Sequence, residues 1–173
     1  MDLMRYAEKT AADLAQHWER FRDEAVALPQ TTFFTWWATQ NYTGHWDMYP
    51  LVDRGEGPMP TDEDGRILGF AEKCPFTTDH LLAVQEVTAA AFSRVSPGSR
   101  IIPHSDVYDQ PICRIHLGLV AGDGCTVWVD GTPHAHRPGE TVVFDTRSLH
   151  SVENTGDRDR IILIVDIGDP AEA

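Results

Sequence analysis

From Phe92 onward the chain is a succession of short strand-like runs, each closed by a tight-turn signal, and no helical periodicity interrupts them. Ser96-Pro-Gly-Ser, Ala121-Gly-Asp-Gly, Asp130-Gly-Thr-Pro and Asn154-Thr-Gly-Asp are turn sequences, and about eight runs lie between and around them. The last run, Arg160-Ile-Ile-Leu-Ile-Val-Asp-Ile, is apolar on both faces, so it reads as a strand covered on both sides. Many short strands without intervening helices predict a sandwich or a double-stranded jelly roll of the cupin kind. Such a fold leaves a mouth between its sheets, a natural place for a site.

The N-terminal part has a different grammar. Leu3, Ala7, Ala11, Leu14, Trp18, Phe21, Ala25 and Leu28 recur at spacings of three and four, which predicts one amphipathic helix stopped by Pro29. Thr32-Phe-Phe-Thr-Trp-Trp-Ala reads as a buried turn or short strand, and Gly44 to Val52 as a strand. Residues 53–65, rich in Gly, Pro and acid, read as an exposed loop. A second helix is expected from Thr78 to about Ala90, with Leu81, Leu82, Val84, Val87 and Ala91 on its buried side. The helices would pad one outer sheet. The expected organisation is one domain over residues 1–173, a helical and aromatic support region (1–91) followed by a jelly-roll core (92–167).

Charge narrows the partners. With 27 acidic against 14 basic residues the net charge is −13, which disfavours nucleic acid and anionic membrane surfaces. A small anion remains possible, because one buried Arg overrides the mean field locally. The three cysteines have no paired metal spacing and suit a reducing compartment. With no apolar signal core at the N-terminus, the expected location is the cytoplasm.

Two imidazoles and a carboxylate carry the chemistry. His104-Ser-Asp106 places its two ligands two residues apart, so on a strand both project to one face while Ser105 points away. His150, from a neighbouring strand, would complete the 2-His-1-carboxylate triad that holds non-haem Fe(II) and leaves positions open for O2 and a co-substrate. A bare His-x-Asp also arises by chance, so the strand Ile112 to Val120 matters. Cys113, Ile115, Leu117 and Leu119 make its core face, and Arg114, His116 and Gly118 its other face. Gly in mid-strand loses packing. The second face therefore lines a ligand pocket in which Gly118 makes room, or else it is a half-exposed strand with a solvated Arg and His.

Five ordered motifs then resemble one family. Phe92-Ser93 with Pro97 to His104, Arg114-Ile-His-Leu-Gly-Leu119, Gly139-Glu-Thr-Val-Val-Phe-Asp145, His150-Ser-Val-Glu-Asn154 and Arg160 to Asp166 are similar to the aspartyl/asparaginyl β-hydroxylases. The resemblance covers roughly residues 93–166. It implies a double-stranded β-helix and an Fe(II)- and 2-oxoglutarate-dependent dioxygenase that hydroxylates an unactivated C–H. Its implied iron ligands are His104 and His150. Arg160 would bind the distal carboxylate of 2-oxoglutarate, with Ser93 and His116 assisting, and Arg114 would face the substrate. A planar guanidinium suits both tasks, since it meets a carboxylate through two parallel hydrogen bonds. The founding members of the family leave the place of Asp106 to water, whereas this chain has the carboxylate. Its 107–112 loop is also about a residue longer.

The remaining expectations follow from weighing plainer roles. His134 and His136 in Thr132-Pro-His-Ala-His-Arg read as an exposed hairpin, Asp145 as a turn acceptor, and Asn154 as a strand terminator bonded to backbone. The N-terminal aromatics read as packing. The expected substrate is a small amino-acid-like or peptidyl molecule with a carboxylate read by Arg114, the reacting carbon of the kind found at the β-position of Asp or Asn. The other reading is a non-redox metal-binding cupin, an isomerase or ligand sensor. Such a protein has no general need for a carboxylate anchor at Arg160.

Overall fold

The computed structural model describes residues 2–168 apart from Glu56, Val107 and Asp109. Its order begins with α1 (Leu3–Ala15), α2 (Trp18–Ala27), β1 (Phe34–Thr35), β2 (Tyr42–Thr43), β3 (Trp46–Asp53) and α3 (Pro75–Leu82). Then come β4 (Val87–Val95), β5 (Arg100–His104), β6 (Cys113–Val120), β7 (Cys125–Val129), β8 (Thr132–Ala135), β9 (Thr141–Asp145), β10 (His150–Asn154) and β11 (Arg160–Ile167). They form two antiparallel sheets, ordered β1-β3-β4-β11-β6-β9 and β2-β5-β10-β7-β8. This is the double-stranded jelly roll expected from the strand and turn pattern.

Period-two alternation sorts the larger sheet into two apolar layers. Ile115, Leu117 and Leu119 of β6 and Leu163, Val165 and Ile167 of β11 face outward onto Ala7, Ala11, Leu14, Phe21 and Ala25 of the helices. The opposite faces meet the second sheet through Trp46, Met48, Ala91, Val95, Ile101, Val127, Val152 and Ile164. Both faces of β11 are therefore dry, which is why its sequence is apolar throughout. No helix among the described residues is long and apolar enough to cross a membrane.

Turn chemistry fixes the registers. At the β7–β8 hairpin Asp130 and Gly131 both take positive φ, 47° and 78°, the conformation of a two-residue type I′ turn whose twist matches the strands. Asp145 accepts the backbone N–H of Arg147, and buried Asn154 donates to the carbonyls of Val95 and Arg158 while accepting from Gly156. Both act as expected.

Three expectations change. The single N-terminal helix is two: the chain tightens at Gln16 and His17, and His17 packs edge-on against Phe21, Phe76 and His80. The break lets α2 lie on α3 as well as on β6. The second helix ends at Leu82, with Pro75 in its first turn, and Val87 to Ala91 belong to strand β4. Thr-Ala-Ala-Ala has no β preference of its own, but β4 is paired along its length to both β3 and β11, and that context overrides propensity. The support region also gives strands to both sheets through β1, β2 and β3. The loop after β3 is tied down by Arg54, whose guanidinium donates to the carbonyls of Leu82, Val84, Gln85 and Val87 just beyond α3.

Candidate active site

His104 ends β5 and His150 begins β10, and the two are direct partners across the antiparallel pair. A local device repeats in both. The Nδ1 of His104 lies 2.8 Å from the Ile102 carbonyl, and that of His150 lies 2.9 Å from the Ser148 carbonyl. A carbonyl only accepts, so each Nδ1 carries the proton and each Nε2 presents a lone pair to the space between the rings. Burial holds the His150 imidazole below its ordinary pKa, which favours the neutral, ligating form.

Asp106 completes the cluster, but from beyond the end of β5 rather than from the strand itself. Its backbone N–H donates to the Thr146 carbonyl, which swings the carboxylate toward the histidines. His104 Nε2 is 3.6 Å from Asp106 Oδ1, and His150 Nε2 is 3.8 Å from Oδ2. Those gaps are too wide for hydrogen bonds. They fit one ion between the donors, since ligands about 2.1 Å from a common metal lie at most about 4.2 Å apart. The donor set and its tautomers thus suit a divalent metal with an open side.

Arg114 of β6 stands beside this cluster, and it is not free. Its Nε and Nη2 donate to the two oxygens of Asp166 at 2.7 and 2.8 Å, its Nη1 to Asp106 Oδ2 at 2.6 Å, and Nη2 also to the Tyr108 hydroxyl. Burial opposes its charge, but Asp166, with Tyr108 and Asp106, more than offsets that and holds the guanidinium above its ordinary range. The expected substrate-facing cation lines the cavity beside this cluster but is already paired with two carboxylates, one of them Asp106. Arg114 sits opposite Asp166 in the β6–β11 ladder; of the long 107–112 loop, Val107 and Asp109 lie outside the described residues.

Arg160, at the start of β11, is the reverse case. It is only 1% exposed, and among the described residues no carboxylate pairs with it. Its Nε and Nη2 lie 3.2 and 3.3 Å from the two ring nitrogens of His136, of which a neutral imidazole can accept at only one. Burial pulls this guanidinium down to about 9. A row of rings links it to the metal-type cluster: His136 to His116 with centroids 5.5 Å apart, His116 to Phe144 at 5.1 Å, and Phe144 to His150 at 4.9 Å. Buried His116 is pushed well below its usual pKa, by burial first and then by Arg160 and His136. Its Nδ1 is the buried side-chain atom, among the described residues, that has no hydrogen-bond partner. A buried cation and an orphaned imidazole nitrogen on one inner face are the features of a pocket for a polar, anionic ligand.

The profile of the aspartyl/asparaginyl beta-hydroxylases matches residues 15–170, nearly the whole of this architecture. The chain belongs to that family. Among curated relatives, the ornithine lipid ester-linked acyl 2-hydroxylase of Rhizobium tropici is 29% identical over 62% of this chain and 41% of its own. Human aspartate beta-hydroxylase domain-containing protein 2 is 29% identical over 83% of this chain and 38% of its own. Human aspartyl/asparaginyl beta-hydroxylase is 25% identical over 91% of this chain and 21% of its own. The chain thus spans less than half the length of each. Among solved structures, a predicted oxalate decarboxylase of Thermotoga maritima superimposes with a TM-score of 0.53 at 17% identity, covering 80% of this chain and 93% of that one, a likeness of fold alone.

For this β-hydroxylase family member, the structure brings His104, Asp106 and His150 together and puts His116 and Arg160 in a second cluster between the same two sheets. Ser93 is fully buried, and its hydroxyl accepts the Trp46 indole N–H at 3.0 Å. Gly118 makes room for protein, not ligand: a Cβ there would lie 2.1 Å from the Arg137 carbonyl oxygen. His136, read from sequence as an exposed turn residue, is 3% exposed and touches Arg160. The signal was the alternation itself, because His134 pairs opposite inward Val127 in the β7–β8 ladder and His136 is the next residue on that face. Phe34, Trp36 and Trp46 pack as expected and also wall a cavity of about 580 Å³ that opens onto His104 and Asp106, whereas Trp37 lines it while standing 75% exposed. A further convergence of Asp13, His17 and His80 lies on the outer helices, with a His80–Asp13 contact of 3.0 Å.

Proposed function

We propose that this protein is an Fe(II)- and 2-oxoglutarate-dependent hydroxylase acting on an unactivated C–H. The single observation that carries the reading is Arg160, a buried guanidinium with no carboxylate partner among the described residues, held between the same two sheets as a two-histidine, one-carboxylate cluster. A buried charge left unpaired is costly, so the pocket calls for an anion. The distal carboxylate of 2-oxoglutarate is that anion in this reading, held by Arg160 with the orphaned Nδ1 of His116 within the same pocket.

His104, Asp106 and His150 would hold the iron. When bound, iron with O2 and 2-oxoglutarate supplies the oxidising power that replaces C–H by C–OH. The chain's own contribution is position and dryness. Arg114 fixes the Asp106 oxygen nearer His150 and leaves the other directed at His104. The carbonyls of Ile102 and Ser148 keep both Nε2 atoms deprotonated. Phe144, packed between His116 and His150, would give the co-substrate's side of the metal an apolar wall. Relatives carry names for both aspartyl/asparaginyl and lipid-acyl hydroxylation, which supports hydroxylation without fixing the substrate.

Anaerobic addition of Fe(II) and then 2-oxoglutarate to the purified protein tests this. The expected result is a weak visible charge-transfer band that saturates with 2-oxoglutarate. Metal-loaded protein that shows no band and releases no succinate in air would instead be a non-redox cupin.

A further inference from the structure

We infer that the substrate enters the mouth of this site as a hydrocarbon group, aliphatic or aromatic, and not as the carboxylate-bearing side chain of an aspartyl residue. The inference rests on the hydroxylase reading for what happens to the group, and on the cavity alone for what binds.

The cavity of about 580 Å³ beside His104 and Asp106 has a wall of Trp36, Trp46, Met48, Pro50, Ala91 and Ile164. Its aromatic part is already assembled. The rings of Trp36 and Trp46 lie 5.2 Å apart at 35°, and the Trp36 backbone N–H donates to the Trp46 carbonyl at 2.8 Å. Tyr42 fixes Trp36 further through its hydroxyl, which donates to the Trp36 carbonyl. Because the Trp46 indole N–H is spent on Ser93, Trp46 offers carbon to the cavity and no donor. Ala91 lies between Pro50 of β3 and Ile164 of β11 in the ladders, and its small side chain leaves a groove between larger neighbours. A preformed apolar wall of this kind gains most from an apolar occupant.

Charge in the metal-free cavity works against the alternative. The described residues lining the cavity include the carboxylates of Asp53, Asp106 and Asp166 against one permanent cation, Arg114, which is bonded to both Asp106 and Asp166. No guanidinium or ammonium among those lining residues is left for an entering carboxylate, and a carboxylate moved out of water without a partner is strongly disfavoured. The unpaired cation, Arg160, does not line this cavity; it starts β11, six residues before Asp166, or about 20 Å of strand away. Anion and hydrocarbon therefore have separate places in one fold.

The test uses three uncharged probes and one anionic control: N-acetyl-leucinamide, N-acetyl-phenylalaninamide, octanamide and N-acetyl-aspartamide with a free side-chain carboxylate. Binding to the metal-free protein is read from tryptophan fluorescence, and succinate release is read separately with Fe(II) and 2-oxoglutarate present. The apolar probes should bind saturably and at least about tenfold more tightly than the aspartyl probe. The same probes should raise succinate release. Trp37→Ala, at a lining residue 75% exposed and so harmless to folding, should weaken apolar binding, as should Trp36→Ala. A preference for octanamide over the amino-acid amides assigns the group to an acyl chain, and the converse to a side chain. Tighter binding of the aspartyl probe, or no binding of any apolar probe, overturns the inference. Apolar binding without any succinate release would leave it standing and sink the hydroxylase reading instead.

Discussion

Arg114 and Arg160 are both inward-facing guanidiniums on adjacent strands of the larger sheet, Arg160 fully buried and Arg114 largely so with its side chain 14% exposed, yet their surroundings are opposite. Arg114 has two carboxylates within 2.8 Å and is held above its ordinary pKa range. Arg160 has a histidine ring, no carboxylate among the described residues, and a pKa drawn down to about 9. Burying a charge is tolerated when the protein supplies its partner and is a standing cost when it does not. The comparison teaches that residue type and burial do not distinguish a structural arginine from a binding one; the presence or absence of a partner does.

The largest effect should come from removing the unpaired member. Arg160→Leu is expected to weaken 2-oxoglutarate binding by about two orders of magnitude or more, while the ligand-free protein loses little stability or gains some, because an unpaired buried charge is replaced by packing. Calorimetric titration and urea unfolding measure the two halves. Arg114→Met should do the opposite. It strands Asp106 and Asp166, so a loss of about 3–5 kcal/mol in urea unfolding is expected, with 2-oxoglutarate affinity nearly kept. Its metal affinity should also fall about 10–100-fold, because Asp106 loses the group that orients it. If both substitutions destabilise equally and neither alters 2-oxoglutarate binding, the contrast between the two arginines is broken.

Smaller effects sharpen it. Asp106→Ala should weaken metal binding, measured by competition with a chelator, but less than His104→Ala or His150→Ala. Unchanged affinity would reduce the triad to its two histidines. The smallest expected effect is on acid stability. His116 and His136 are held neutral, by burial first and by the nearby Arg160 second, so their folded pKa values lie below those of the unfolded chain. The unfolded state then binds more protons, and stability falls as pH drops below about 6.5, by up to about 1.4 kcal/mol per pH unit for each imidazole. Urea unfolding at pH 7.5 and 5.5 should show the fall, and His136→Phe should reduce it.

Much of this was legible in the sequence, for physical reasons that also explain the failures. The jelly roll announced itself because turn residues such as Asp130-Gly131 dictate local backbone, and because β6 separates its faces by strict alternation. His104 and His150 stand opposite each other on neighbouring strands, so their convergence could be read in advance, whereas Arg160 was legible only through the family resemblance. The partner of Arg114 could not be, since Asp166 lies 52 residues away and meets it only through the β6–β11 ladder. Strand β4 was hidden for the same reason, as its Ala-rich run gains a strand conformation from neighbours on both sides. Gly118 reads from the sequence as room for a ligand, whereas the Arg137 backbone takes that room, a close approach set by topology.

In the proposed function, Arg160 has no carboxylate partner among the described residues because 2-oxoglutarate provides one. Calorimetric titration of 2-oxoglutarate into anaerobic, Fe(II)-loaded wild-type, Arg160→Leu and Arg114→Met proteins tests it most directly. The account predicts saturable binding to wild type and Arg114→Met, and loss of binding in Arg160→Leu although that protein still holds its metal. Undiminished binding to Arg160→Leu would contradict it.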